Sequence, residues 1–385
     1  MGCSTTVFSQ LIKLIPRSEF QSLVAQHEGD RRVRSLDCWT WFGALLFGQM
    51  TGHDSIRAIE RVFAHQDGEA ERLGFGPVRR STLADANRTR PIEILESLYA
   101  YCLARAQSVA PRKNGFRFHG QVFALDSTTI ELCLALSPWA VFRRAKGAVK
   151  LHTAIDIAGN LPQFAVITDG KHHDLRTVRE NIVFNPGATV VFDKAYIDYA
   201  WLNDLNQGGV WFVTRMKSNC QFTVIECHEH SRTRGLRADQ TIRLKSLKGS
   251  EYQGKLRRVS YRDPDTGRWL VFLTNRFDLS GKTICDLYKS RWKVELFFKA
   301  MKQHLRIKKF LGTSAQSVKA QILVALIAYL LVHILKYSMK SDISMPDAMA
   351  AIGTLLLLKE PLSRLLGRLP RVTRHQCGSQ MVLNL

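Results

Sequence analysis

No two of the eight cysteines (Cys3, Cys38, Cys102, Cys133, Cys220, Cys227, Cys285 and Cys377) are spaced as CxxC. This argues against a zinc module or a disulfide framework and for a reduced, cytosolic chain. Cys227-His228-Glu229-His230 has no second ligand pair at zinc spacing, so solvated loop residues are expected there. A P-loop pattern is also missing, and no nucleotide cofactor is expected. Low-complexity segments and internal repeats are lacking. The charge-free apolar run Ala320–Leu335 is 16 residues, short of the ~20 a spanning helix needs. It carries Gln321 and His333, so a buried core helix is expected and no membrane. No secretory pattern opens the chain. MGCSTT fits a myristoylation motif, but no polybasic anchor follows it.

Acidic residues are scarce beside basic ones: 33 Asp and Glu against 55 Lys and Arg, a net charge of +22. The excess is spread along the chain and points to a polyanionic partner, nucleic acid ahead of a membrane surface. With 385 residues, 45% of them hydrophobic, two or three domains with a sizeable core are possible.

Residues 1–115 read as helical, with helix-period apolar positions in Phe8–Ile15, Cys38–Gln49, Ser55–Phe63 and Pro91–Ala106. Within VRRSTLADANRTRP, Ser81 is placed to cap a helix, and Arg79, Arg80, Arg88 and Arg90 flank the turn as candidate phosphate contacts. From residue 116 the pattern changes. QVFALD (121–126), VKLHTAIDI (149–157) and LPQFAVIT (161–168) read as strands of an antiparallel meander. HHDLRTVREN, ATVVFD (188–193), IDYAWLNDLNQ and GVWFVTRM then alternate helix and strand, which suits parallel neighbours. Residues 217–277 read as a polar β-rich insertion. A signature helix follows at 288–305, then the apolar helix, and 341–385 forms a helical, basic C-terminal segment. The expected architecture is α/β: a mixed sheet in 116–340 preceded by an all-helical N-terminal domain.

Two apolar strands end in aspartate, Asp126 in LDSTT and Asp193 in FDKAY. The ends of strands in α/β sheets are where ligands bind, although a capping aspartate is the ordinary alternative. In YKSRWKVELFFKAMKQHL, Val294, Phe297, Phe298 and Met301 form one helical stripe. Tyr288, Arg291, Glu295 and Lys302 fall within roughly 60° of one another on the next. Three carboxylates converging from these elements would repel unless divalent cations held them, and Mg²⁺ or Mn²⁺ suits an oxygen-rich set. Cationic surroundings are expected to keep them ionised. Asp156 reads as a turn aspartate, Asp174 as a residue at a helix N-terminus, and Lys150 and His152 as strand residues facing one way.

These residues resemble the DDE triad of bacterial transposases. Tyr288, Arg291, Glu295 and Lys302 match in spacing the YREK signature of the insertion-sequence-4 family, and KLHTAIDIAGNLP resembles its second and third strands. The resemblance covers about 8–340. It implies a ribonuclease-H-like catalytic domain with a β-rich insertion, and Asp126, Asp193 and Glu295 as ligands of two Mg²⁺ or Mn²⁺ ions. It further implies that Tyr288, Arg291 and Lys302 grip a DNA end, that the protein dimerises on DNA, and that it works at the bacterial nucleoid. Trp269 and Trp292 are candidates for stacking on a flipped base, with core packing the weightier expectation for both. The alternatives are an inactive or domesticated DNA-binding derivative and a ribonuclease-H-like nuclease.

Overall fold

A computed structural model describes residues 5–64, 68–111, 115–132, 137, 139–143, 146–229, 235–305, 307 and 310–368. The myristoylation-like start through Ser4, Cys133, His230, Cys377 and the basic tail beyond 368 lie outside them. The helical first part holds α1 (Val7–Ile12), α2 (Arg17–Gln26), α3 (Cys38–Thr51), α4 (Ile56–Ala64), α5 (Glu69–Arg72), α6 (Arg80–Thr89) and α7 (Glu93–Val109). Then come β1 (Val122–Leu132), β2 (Val141–Arg143), β3 (Lys146–Asp156), β4 (Leu161–Asp169), α8 (Asp174–Asn181), β5 (Thr189–Phe192), α9 (Tyr199–Gln207) and β6 (Trp211–Arg215). The insertion contributes β7 (Phe222–Cys227), β8 (Leu236–Leu244), β9 (Leu256–Arg262) and β10 (Trp269–Thr274). The chain continues with α10 (Gly281–Ser290), α11 (Trp292–His304), α12 (Ala315–Ser338), α13 (Met345–Leu355) and α14 (Leu362–Arg368).

One sheet organises the protein, in the order β2-β3-β1-β5-β6-β10-β9-β8-β7, with β4 paired to β3. β1, β5 and β6 run parallel, and the remaining pairs are antiparallel. The meander and the two helical crossovers are as the sequence implies, and the short β2 is an addition. The insertion extends the sheet itself, because β10 pairs with β6 at Leu273↔Thr214. The first strand does not stop at Asp126. Its parallel pairing with β5 ends at Leu125↔Phe192, but its antiparallel pairing with β3 continues to Leu132↔Gly147.

Strand alternation sorts the sheet's two faces. Phe123, Leu125, Val190 and Phe192 join a core with Val178 of α8 and Trp201 of α9. Val122, Ala124, Ile130 and Val191 join a larger core on the opposite face with Val294 and Phe297 of α11, which continues through α12 into the N-terminal helices. The change from helix to strand near residue 115 is therefore crossed by one continuous core.

The central helix α12 starts at a Ser314 cap, whose hydroxyl accepts the Ser317 N–H, and packs on α3, α6, α7, α11 and α13. At 24 residues it exceeds the charge-free run and is long and apolar enough to cross a membrane, yet 94% of its most apolar window is covered by protein. It also clamps the β3–β4 turn. Asn160 sits there at φ 55°, a left-handed conformation that asparagine tolerates. Its Nδ2 donates to Tyr329 Oη at 2.9 Å, Tyr329 Oη donates back to its carbonyl at 2.9 Å, and His333 Nε2 lies 2.8 Å from the Gly159 carbonyl. Asp156 accepts the Ala158 and Gly159 N–H groups in this turn, as expected of a turn aspartate.

Two cap details differ from the sequence reading. Ser81 does not cap α6, which begins a residue earlier after Arg79, with Glu60 Oε1 accepting the Arg80 N–H at 3.0 Å. The signature helix is two, α10 and α11, meeting at Arg291. There the N–H bonds Tyr288 O at 3.1 Å and the carbonyl takes Val294 N–H at 3.1 Å, a tight three-residue turn between the helices.

Leu330 is fully buried in α12, so Leu330→Ala should cost about 2–5 kcal/mol in denaturant unfolding. Burial lowers the His333 and His152 imidazoles to about 4. The unfolded chain takes up these protons below about pH 6.5 while the folded chain does not, so their contribution to stability is lost as pH falls from about 6.5 to 4. Thermal melts across that range should show the loss, and His333→Gln should make it shallower.

Candidate active site

The parallel pairing of β1 and β5 ends in register at Leu125↔Phe192. The next residue in each case is an aspartate, Asp126 still on β1 and Asp193 just past the end of β5. Since Leu125 and Phe192 both face the α8–α9 core, Asp126 and Asp193 turn to the opposite face, where α10 and α11 pack. Adjacent strands lie ~4.8 Å apart, so the two aspartate backbones stand side by side at one level of the sheet. Asp193 also does the capping work considered for it, accepting the Ala195 N–H at 3.0 Å.

Glu295 arrives on α11, whose Val294, Phe297 and Met301 are buried. Arg291, one helical turn earlier, bridges the two elements. Its Nη1 donates to Asp126 Oδ2 at 2.9 Å and its Nη2 to Glu295 Oε1 at 2.5 Å. Its side chain is 15% exposed, against 23% for Asp126 and 32% for Glu295, so solvent screens the pairs less than at an open surface. The Tyr288 ring lies 5.7 Å from the guanidinium carbon and packs on Phe272 at 4.9 Å. Asp126, Ser127, Thr128, Glu295, Phe298, Lys299, Lys302 and Gln303 line an open groove of about 410 Å³.

Burial raises the Asp126 carboxyl; the Ser127 N–H and Arg291 oppose this, while Glu295 and Asp193 add to it. At Asp126 desolvation is thus a larger influence than the Arg291 cation. Burial alone would lower the Arg291 guanidinium, but Tyr288, Asp126 and Glu295 reverse that and raise it. Burial also raises the Tyr288 phenol.

Of the candidate residues, the fold gathers Asp126, Asp193, Glu295, Tyr288, Arg291 and Lys302. Trp292 and Trp269 are not core residues, at 57% and 49% exposed. Trp292 adjoins Arg291 on α11, whereas Trp269 lies on β10 with Arg237 5.2 Å from its ring centroid. Arg79, just before α6, and Arg80 and Arg88 on it are exposed and are not among the groove-lining residues, and Arg88 pairs with Asp85 at 3.0 Å. Arg90 is tied to the Gly29 and Leu36 carbonyls, which corrects its reading as a phosphate contact. Lys150 and His152 approach Asp174 at 3.1 and 3.6 Å, on the sheet face opposite Asp126. His228 lies 2.7 Å from Thr241 Oγ1. Sequence reading missed Lys299, although its place between Glu295 and Lys302 at helical spacing was there to find it.

The donor set here fits divalent metal ions, being all carboxylate oxygen, and a cation, the Arg291 guanidinium, already lies between two of its members. As the side chains stand, no group of three His, Cys, Asp or Glu among the described residues is close enough to hold a metal.

A β1–β5–β6 parallel centre, an antiparallel meander and helices on both faces define a ribonuclease-H-like protein. Residues 117–331 match the transposase DDE domain, and residues 4–76 match a domain of unknown function (DUF4372). The chain is 33% identical over 277 residues to a protein named as transposase y4zB in Sinorhizobium fredii, covering 70% of this chain and 76% of that one. It is 31% identical over 280 residues to the probable transposase for insertion sequence element IS5377 of Geobacillus stearothermophilus, covering 71% of each. A protein of Synechocystis named as transposase for insertion sequence element IS4SA is 22% identical over 270 residues, covering 69% and 75%. The chain belongs to the DDE transposase family of insertion sequences.

Because burial raises the folded-state carboxyl of Asp126 above its unfolded value, the native chain holds that proton more tightly. Stability therefore falls as pH rises from the unfolded value through the folded one. Asp126→Asn removes the buried charge and should raise the melting temperature of the metal-free protein at pH 7. The gain should shrink as the pH is lowered toward 4.

Proposed function

We propose that this transposase cuts DNA at the ends of its own insertion sequence and joins the freed ends to target DNA, with Asp126, Asp193 and Glu295 as the catalytic carboxylates. The observation that supports this most is the placement of two aspartates side by side at the end of the β1–β5 pairing, with Glu295 linked to Asp126 through Arg291. The three would hold two Mg²⁺ or Mn²⁺ ions. When bound, such ions lower the pKa of a water and neutralise charge on a leaving oxygen.

The chain's own residues do the rest. Asp126 and Asp193, fixed by the sheet, and Glu295, fixed by helix packing, set where the scissile phosphate sits. Tyr288, Arg291 and Lys302 hold the DNA end, with Lys299 beside them. Trp292 is well exposed for stacking on an unpaired base; Trp269 is a second candidate, and Arg79, Arg80 and Arg88 extend the contact to DNA further from the cut. Water attacks the phosphodiester in line and the 3′-oxygen leaves, taking a proton. That 3′-hydroxyl attacks the opposite strand, releasing its neighbour and closing a hairpin. A second water reopens the hairpin, and the 3′-hydroxyl then attacks target DNA. Each step exchanges one P–O bond for another, so no covalent protein intermediate and no ATP are needed.

The YREK spacing supports a place in the insertion-sequence-4 group. The domain limits read from sequence, 1–115, 116–340 with the insertion at 217–277, and 341–385, belong to this reading. So do pairing of two ends by a dimer, action at the nucleoid, and the absence of a membrane role, since α12 is covered by the protein's own helices.

The test uses DNA duplexes carrying the element's ends, with Mg²⁺. Wild type should cut and join strands. Asp126→Ala, Asp193→Ala and Glu295→Ala should each lose cleavage by at least about a thousandfold while still retarding DNA in gels. Full cleavage by any one of these variants removes that residue from the set, and cleavage without joining makes the protein a nuclease.

A further inference from the structure

Arg291 holds a place that a DNA-gripping side chain does not need. Its two terminal nitrogens are spent on two different carboxylates, one on β1 and one on α11, and it is largely shielded from water. The planar fork of a guanidinium suits this bridging, since each Nη offers a fixed donor direction. The bridging cation offsets the repulsion between Asp126 and Glu295, and Asp193 follows in register on the neighbouring strand.

Resting on the carboxylate reading above, we propose that Arg291 is the built-in counter-ion of the metal-free site, and that its guanidinium must release Asp126 and Glu295 before divalent cations can use them. The charge argument is direct. Two divalent ions already exceed the charge of three carboxylates, so a guanidinium kept among them would face net positive charge and be expelled. The bridge also leaves the guanidinium incompletely satisfied: its Nε is buried and has no hydrogen-bond partner among the described residues. The groove beside it is lined by Lys299 and Lys302, a surface that draws phosphate, so a released guanidinium would join an anion-binding set. Arg291 thus competes with metal for the same oxygens, and its departure converts a structural ion pair into a DNA contact.

The experiment is a calorimetric titration of the full chain with Mn²⁺, without DNA, for wild type, Arg291→Gln, Arg291→Lys and Asp126→Asn, with thermal melts of each with and without Mn²⁺. Removing the competitor should make Mn²⁺ bind Arg291→Gln roughly tenfold more tightly than wild type, within the range usual for coupled sites. The melting temperature of Arg291→Gln should fall without metal, and Mn²⁺ should raise it by more than it raises the wild type's. Arg291→Lys, whose single ammonium satisfies one carboxylate at a time, should fall between them, and it carries the test if Arg291→Gln does not fold without metal. Equal or weaker Mn²⁺ binding in both Arg291 variants overturns the proposal. If Asp126→Asn binds Mn²⁺ as wild type does, or no chain binds it, the carboxylate site itself is wrong. If Asp126→Asn weakens binding while the Arg291 variants leave it unchanged, the site stands and only the counter-ion role fails.

Discussion

The burial of one face of α11 dictates the rest of the site. Val294, Phe297 and Met301 are removed from water against the sheet and α12, and helical geometry fixes where the neighbouring stripe must point. That stripe carries Arg291 and Glu295. Neither can reach bulk water fully from its half-buried position, and an unpartnered charge there would cost several kcal/mol. The fold supplies the partner from 165 residues away, Asp126 on β1. Apolar docking and the ion-paired chain are thus one interaction, since neither side of it could move without exposing hydrophobic surface or stranding a charge.

The insertion serves the same end. Arg257 on β9 is buried and bonds both carboxylate oxygens of Asp239 on β8, at 2.7 and 2.6 Å. Its remaining nitrogen donates to the Leu279 carbonyl at 2.5 Å, with longer contacts to the Arg276 and Phe277 carbonyls. These carbonyls form the segment that leads into α10. The Ser280 hydroxyl then caps α10 by accepting the Thr283 N–H. A buried ion pair inside the insertion therefore anchors the strand-to-helix turn from which Tyr288, Arg291 and Glu295 follow in order. Because β10 also pairs with β6, the insertion is continuous with the sheet that carries Asp193's neighbours, and the aspartates and the signature helices are referred to one frame.

Most of this was legible where a single period or cap decides the outcome. The short, largely apolar TVVF of β5 reads as a buried strand, and the helix wheel of 288–305 places Arg291 and Glu295 together. What was not legible depended on partners distant in sequence. Nothing in LDSTT says that β1 continues past Asp126, because the reason is β3, which pairs with residues 127–132 from across the meander. Ser81 lost its cap to Glu60, a carboxylate on another helix. No proline or glycine between 288 and 305 announces the break at Arg291. The two tryptophans were misjudged because hydrophobicity favours burial on average, while their exposure here was set by strand and helix faces that the sheet order alone fixes.

A fold selected only for stability would not keep Asp126. It lies where desolvation raises its carboxyl, next to a second aspartate and near a glutamate, with one guanidinium to balance them. An amide side chain there would carry no charge to desolvate and could still accept from Arg291. The arrangement makes sense as a site whose electrostatic balance is incomplete by itself, which a multivalent cation relieves more fully than Arg291 can. On that view the weakness is local by design of the layers: α12 and the N-terminal helices bury a large apolar surface well away from the carboxylates, so the core can hold the fold while the end of β1 and β5 stays electrostatically unsettled.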